Sequence, residues 1–203
     1  MKNTVALAVL LLFTSLASAQ SIGFNASRSI STLCPDYATF KSTLNHSYGF
    51  GFYRVKQIGT GSLQLRTGVN MVFMRSCLSV TNDAGNSFLI PEKFNYVDIP
   101  ILLQQDFFRY SRLTRKASHY SLQGGLHLGY LFHENGFEQR VGYDYKTSPL
   151  NLGASAAFQW IKPVKWNSAF AIGPEVKVLS TGEEHAKVAI MAGLKLGWRF
   201  GNI

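Results

Sequence analysis

Nucleophilic catalysis needs a serine or cysteine beside a base that a carboxylate orients. The nearest approach to that set in this 203-residue sequence is His119 with Ser121, and His127 further along the same face. No carboxylate follows at a spacing that would put it beside them, so no catalytic site is expected. His46, His133 and His185 could converge on a metal from the ends of neighbouring segments. Isolated histidines at such places are more often solvated, and neither a metal nor another cofactor is expected. Gly59-Thr60-Gly61 and Gly124-Gly125 lack the Lys and Ser/Thr spacing of a phosphate loop. The run Arg109-Tyr110-Ser111-Arg112-Leu113-Thr114-Arg115-Lys116 is the densest basic stretch, readable as a solvated turn or as a contact for phosphates or a partner.

What remains is a set of charges of both signs, each on the polar side of an alternating segment: Arg66, Asp98, Asp106, Glu175, Lys177, Lys187, Lys195 and Arg199. The elements that carry them are strands. In residues 185–200 the positions Ala186, Val188, Ile190, Ala192, Leu194, Leu196, Trp198 and Phe200 are all apolar, while Lys187, Lys195, Arg199, Gly193 and Gly197 fall between them. Period two is the signature of a strand with two unlike faces. The run exceeds the roughly 9–11 tilted residues that cross a bilayer's hydrocarbon.

The same alternation recurs in residues 22–30, 48–58, 62–78, 94–110, 120–133, 150–161 and 169–179, which makes eight strands in all. Alternation alone does not say which face is inside, because a soluble ligand-binding barrel has the same period. The glycines decide it. Gly23, Gly49, Gly51, Gly68, Gly125, Gly129, Gly153, Gly173, Gly193 and Gly197 all lie on the polar face, with Gly124 the exception. A narrow barrel is crowded inside and not outside, so the polar face is the lumen and the apolar face meets lipid. Tyr48, Phe107, Tyr120, Phe132, Trp160, Trp198 and Phe200 lie toward strand ends, where interfacial girdles form.

The links between strands support this reading. Residues 31–47, 79–93 and 134–149 are long and alternate with the short links 59–61 and 162–168, as outer loops alternate with periplasmic turns. Two links depart from the rule, the longish 111–119 and the short 180–184. Inside the barrel, Arg66, Asp98, Asp106, Glu175, Lys177, Lys195 and Arg199 are read as a polar network that plugs the lumen, because buried ions must be paired or hydrated. Arg66 and Asp106 fall near the same end, where they could pair. A gated polar path is the sharper alternative.

The N-terminus reads as a secretory signal peptide over residues 1–19: Lys2, the apolar core Val5 to Phe13, then Ala17-Ser18-Ala19. Residues 20–203 form one barrel domain. The formal charge of +9 would suggest nucleic acid in a cytoplasmic protein; export makes outer-membrane lipids, including lipopolysaccharide, the expected partners instead. Cys34 and Cys77 suit an oxidising compartment and leave two readings open, a disulfide from the first long loop to the third strand or two unpaired structural cysteines.

Three motifs carry a family resemblance. Tyr96-Val97-Asp98-Ile99-Pro100-Ile101-Leu102-Leu103 and Gly124-Gly125-Leu126-His127-Leu128-Gly129-Tyr130-Leu131 resemble strands of the PorT-like outer-membrane β-barrels. Leu194-Lys195-Leu196-Gly197-Trp198-Arg199-Phe200 is similar to the C-terminal signal read by the barrel-assembly machinery, although Gly201-Asn202-Ile203 follow the closing aromatic. The resemblance implies an outer-membrane location and that machinery as a partner during biogenesis. One relative in the family takes part in type IX secretion and gliding, a role that fold alone does not transfer. The expectation is an all-β, eight-stranded, antiparallel up-and-down transmembrane barrel of structural or accessory type. The alternatives are a narrow channel for small solutes and a lipid-modifying enzyme.

Overall fold

The structure is a computed structural model, and it describes residues 21–34, 40–81, 87–111, 116–135, 149–164, 167–180 and 188–201. The segment read as a signal peptide lies outside them. So do His185 and Lys187, and the side chains of Cys34, Cys77, His133 and the basic run 109–116.

The described strands are β1 (Ser21–Cys34), β2 (Phe40–Thr43), β3 (Asn45–Gln57), β4 (Leu63–Thr81), β5 (Ser87–Ser111), β6 (Lys116–Asn135), β7 (Leu150–Val164), β8 (Ser168–Ser180) and β9 (Val188–Gly201). Each pairs antiparallel with its neighbours, β4 pairs β5, and β1 pairs β9 from Ser21↔Gly201 to Cys34↔Val188. The circuit therefore closes. The short β2 pairs only with β4 and prolongs the line of β3 past Leu44, where the register slips by one residue between Tyr48↔Phe73 and Thr43↔Cys77. The result is the expected closed barrel of eight staves.

The strands run further than alternation alone suggests. β4 and β5 stay paired out to Thr81↔Ser87, so most of the expected loop 79–93 is hairpin. The cause is visible in retrospect: Leu78, Val80, Phe88 and Ile90 keep the alternation going on both sides of the turn-forming run Asn82-Asp83-Ala84-Gly85-Asn86. At the opposite end β5 and β6 pair out to Ser111↔Lys116. The longish link between them thus shrinks to residues 112–115, and that departure from the short-turn rule disappears. β1 reaches Cys34, so this cysteine ends a strand instead of lying in a loop, with β2 and β3 between it and the strand of Cys77.

The two faces sort as expected. Leu126 and Leu152 are each 68% exposed on the outside, and Leu194, Phe52 and Ile101 join them. Gly23, Gly49, Gly51, Gly129, Gly173 and Gly197 are buried on the inside. A Cβ on Gly125 would meet the Ile101 carbonyl and stand 2.8 Å from the Leu102 Cα, whereas one on the outward Gly124 would meet only the Ser155 carbonyl at 3.7 Å.

Pro100, on β5, sits at no bulge. The β4–β5 ladder instead skips the pairs between Thr67↔Ile101 and Asn70↔Asp98 with unchanged register, which removes the need for the donor that proline lacks. The shift of β5 on β6 falls between Asn95 and Tyr96. Pro174 is handled in the same way, by a gap between Ala157↔Glu175 and Trp160↔Ile172.

Candidate functional site: the barrel interior

The interior is layered, which alternation did not reveal. Toward the outer strand ends it is apolar: Val72, Met74, Phe94, Tyr96, Leu179 and Met191 pack as one buried cluster, with the Phe94 and Tyr96 rings stacked at 6.3 Å. The expected polar network of salt bridges and hydrogen bonds is thus capped on its outer side by large inward apolar side chains, which share that level with the buried Ser31–Ser47 hydroxyl pair. The period-two reading had no reason to place those apolar side chains inside.

Charge occupies the middle layer. Asp98, on β5, accepts from Lys177 Nζ at 2.6 Å, lies 2.9 Å from His127 Nδ1, and accepts from Asn70 Nδ2 at 3.3 Å. Lys195 Nζ donates to Glu175 at 2.5 Å. Register explains the second pairing: Lys195 lies opposite Gly173 and Glu175 opposite Gly193, so the two stand diagonally across β8 and β9. Lys177 lies opposite Ser155 on β7 and Ser155 opposite Gly125 on β6, small residues across which it reaches Asp98 on β5.

Amides and Arg199 occupy the inner layer. Gln104 donates to Gln64 at 3.2 Å and to Asp106 at 2.9 Å, and Gln123 donates to Gln104 at 3.3 Å and to Gln159 at 2.7 Å. This belt crosses β4, β5, β6 and β7. Arg199 reaches Asp106 at 3.4 Å, and His119 Nε2 lies 3.6 Å from the same carboxylate.

All seven charged residues expected in the lumen, Arg66, Asp98, Asp106, Glu175, Lys177, Lys195 and Arg199, face inward. Six of them form three pairs, Asp98–Lys177, Glu175–Lys195 and Asp106–Arg199. Arg66 does not pair with Asp106. Its guanidinium lies 3.4 Å from the centre of the Tyr53 ring, where the π face supplies the electron density that a carboxylate would otherwise provide. Sequence reasoning passed over Asn25, Asn70, Ser155 and the glutamine belt. Their signal was their inward parity, but only the cross-strand register shows that they meet.

The histidines also regroup. His119 turns to Asp106, and the buried Ser121 hydroxyl makes no hydrogen bond among the described residues, so the His119–Ser121 constellation does not form. His127 instead bridges Asp98 and Ser155, with Nε2 2.6 Å from Ser155 Oγ. That is the connectivity of a Ser-His-Asp relay, set in an unfavourable place for chemistry. Ser155 sits mid-strand and is paired on both sides, so nearby backbone N–H groups are committed to the ladders and no pair of them is aimed at an oxyanion. Asp98 is already neutralised by Lys177. The adjoining cavity, lined by His127, Lys177, Glu175, Lys195, Asn25 and Asn70 among others, measures about 30 Å³, room for a few waters and not for a substrate. Among the described residues, no group of three or more His, Cys, Asp or Glu could hold a metal, and His46 is exposed on β3.

No protein-family model and no curated protein matches the chain. Solved structures similar to it include Ail, the attachment invasion locus protein of Yersinia pestis, in complex with the heparin analogue sucrose octasulfate. That likeness has a TM-score of 0.41 at 12% identity, over 89% of this chain and 98% of that one. Another structure of Ail gives a TM-score of 0.39 at 12% identity, over 90% and 99% of the two chains. Neisserial surface protein A gives 0.45 at 10% identity, over 88% and 96%. Likenesses of this size compare folds and nothing further, and the barrel assignment rests on the strand pairing itself.

Proposed function

We propose that the chain is an integral outer-membrane β-barrel of a bacterium, exported by the signal peptide at residues 1–19, with a closed lumen and a structural or accessory role in the envelope. The PorT-like resemblance is part of this reading and rests on the three motifs quoted for it. One observation carries it: the molecule is inverted. Leu126, Leu152 and Phe52 face outward over the closed sheet, while Asp98, Lys177, Lys195 and Arg199 are buried within it. In water such an exterior would expose far more contiguous apolar surface than a soluble monomer tolerates; in lipid it is the favourable arrangement. The aromatic line Phe24, Phe200, Trp198 and Phe170, with ring centres 6.0–6.4 Å apart, falls near the chain termini, where an interfacial girdle belongs.

The test is fractionation followed by gel mobility with and without boiling. Recovery in the outer membrane with a heat-dependent shift is the expected result, and a soluble periplasmic protein with no shift would overturn it. The cavity beside His127 favours a second reading, a narrow channel that opens by exchange of partners among Lys177, Asp98, Lys195 and Glu175. Planar bilayers distinguish the two. A closed lumen gives no unitary conductance, and reproducible steps would favour the channel.

A further inference from the structure

Among the described side chains, the outer wall carries charge of one sign. Among residues whose side chains are described, the carboxylates are Asp98, Asp106 and Glu175, and all three turn inward. The outward charges are all cations: Arg28, Arg54, Lys56, Arg75, Lys93 and Lys162. Arg54, Lys56 and Lys162 lie toward the end marked by residues 59–62 and Asn167. Arg28, Arg75 and Lys93 gather near the other end, on β1, β4 and β5, with β3 between the first two.

Their arrangement is specific. Arg75 and Lys93 are direct cross-strand partners and both are exposed, so their Cβ atoms stand roughly 4.5–5.5 Å apart. Exposed His46 on β3 and Arg75 on β4 each lie two residues beyond the pair Tyr48↔Phe73. Arg28 lies opposite Tyr48, with its guanidinium 6.0 Å from that ring's centre. Like charges placed directly opposite on a sheet destabilise it, and no described carboxylate lies on this wall to offset them. The patch also borders an aromatic row, with exposed Ile30 and Leu44 at its level and beyond it. Tyr48, Phe73 and Phe50 lie immediately on its lipid side, with the Phe50 and Phe73 rings stacked at 5.7 Å, and such aromatics mark the headgroup level of a membrane.

We propose that Arg75 and Lys93, flanked by His46 and Arg28, form a binding site for the phosphorylated headgroup of a glycolipid in the surrounding outer leaflet. The proposal rests on the outer-membrane reading. The phosphate supplies the missing counter-charge, Arg75 offers the forked donors that match phosphate oxygens, and the acyl chains lie along the apolar wall below.

The experiment uses the full chain, folded in detergent and checked by its heat shift, with diphosphorylated lipid A as the probe and native mass spectrometry as the readout. Wild type is expected to retain lipid A and to hold the fully dephosphorylated lipid at least tenfold more weakly. The variant Arg75→Gln/Lys93→Gln should lose at least tenfold in affinity while keeping the heat shift. Lys162→Gln, at the opposite end of the barrel, should bind as wild type does. Millimolar inorganic phosphate should not displace the lipid. Equal retention by the double variant, equal binding of the dephosphorylated lipid, or full displacement by free phosphate would each overturn the proposal while the heat shift leaves the barrel reading intact. Loss of the shift in wild type would remove both.

Discussion

At the scale of single residues, Asp98 is the centre of the interior. It gathers Lys177, His127 and Asn70 from three other strands, so its partners do more than neutralise it; they tie the wall of the barrel to itself. Breaking a buried pair by removing one member is costly, because it leaves the other charge without compensation. Lys177→Met is therefore expected to destabilise the folded barrel by about 3–5 kcal/mol, and the double change Lys177→Met with Asp98→Asn by clearly less. The urea midpoint of the heat-shifted gel band measures both, and equal losses would mean that Asp98 is compensated by other means. A second residue-scale prediction concerns Ser155. Its contact with His127 completes a relay without an oxyanion site or room for substrate, so a fluorophosphonate probe should leave the folded protein unlabelled. Labelling lost in Ser155→Ala would instead make the relay catalytic.

At the scale of elements, strand-to-strand contact sets what each position accepts. A Cβ on Gly173 would run into the Phe158 carbonyl and approach the Gln159 Cα to 2.8 Å, whereas one on Gly129 meets the Asn151 Cβ at an ordinary 3.5 Å. Gly173→Ala should cost about 1–3 kcal/mol as an overpacked site, and Gly129→Ala should be close to neutral; reversal of that order in unfolding titrations would contradict the packing described. On the outer face the rule is chemical instead of steric. Leu128→Arg should cost about 2–4 kcal/mol if it faces mid-bilayer lipid. Leu128→Phe should cost little, because lipid yields to bulk. Period two was enough to read these outward positions from the sequence. It did not reveal how far the strands run, since the alternation through Leu78, Val80, Phe88 and Ile90 is interrupted by Pro91 and by turn-forming residues. Nor did it reveal that the β4–β5 and β7–β8 ladders answer Pro100 and Pro174 with gaps and no bulge.

At the scale of the whole molecule, the barrel is a closed wall around three layers: an apolar outer plug, a charged middle, and an inner belt of amides with Arg199. Around those layers the charges on the outward face are, among the described side chains, all cations. By itself the sequence determined the strands, the closed eight-stave class, and which face of each strand holds charge and glycine. All of these follow from local period and from the crowding that a narrow interior imposes. Only the tertiary structure decided who meets whom. Register across strands far apart in the chain gave Asp106 to Arg199 and left Arg66 to Tyr53. It joined His127 to Ser155 and not His119 to Ser121, and it set Arg75 opposite Lys93 on the outside. Alternation tells a side chain which way to point; only the stagger of one strand against the next, summed around the closed circuit, sets the height at which it arrives.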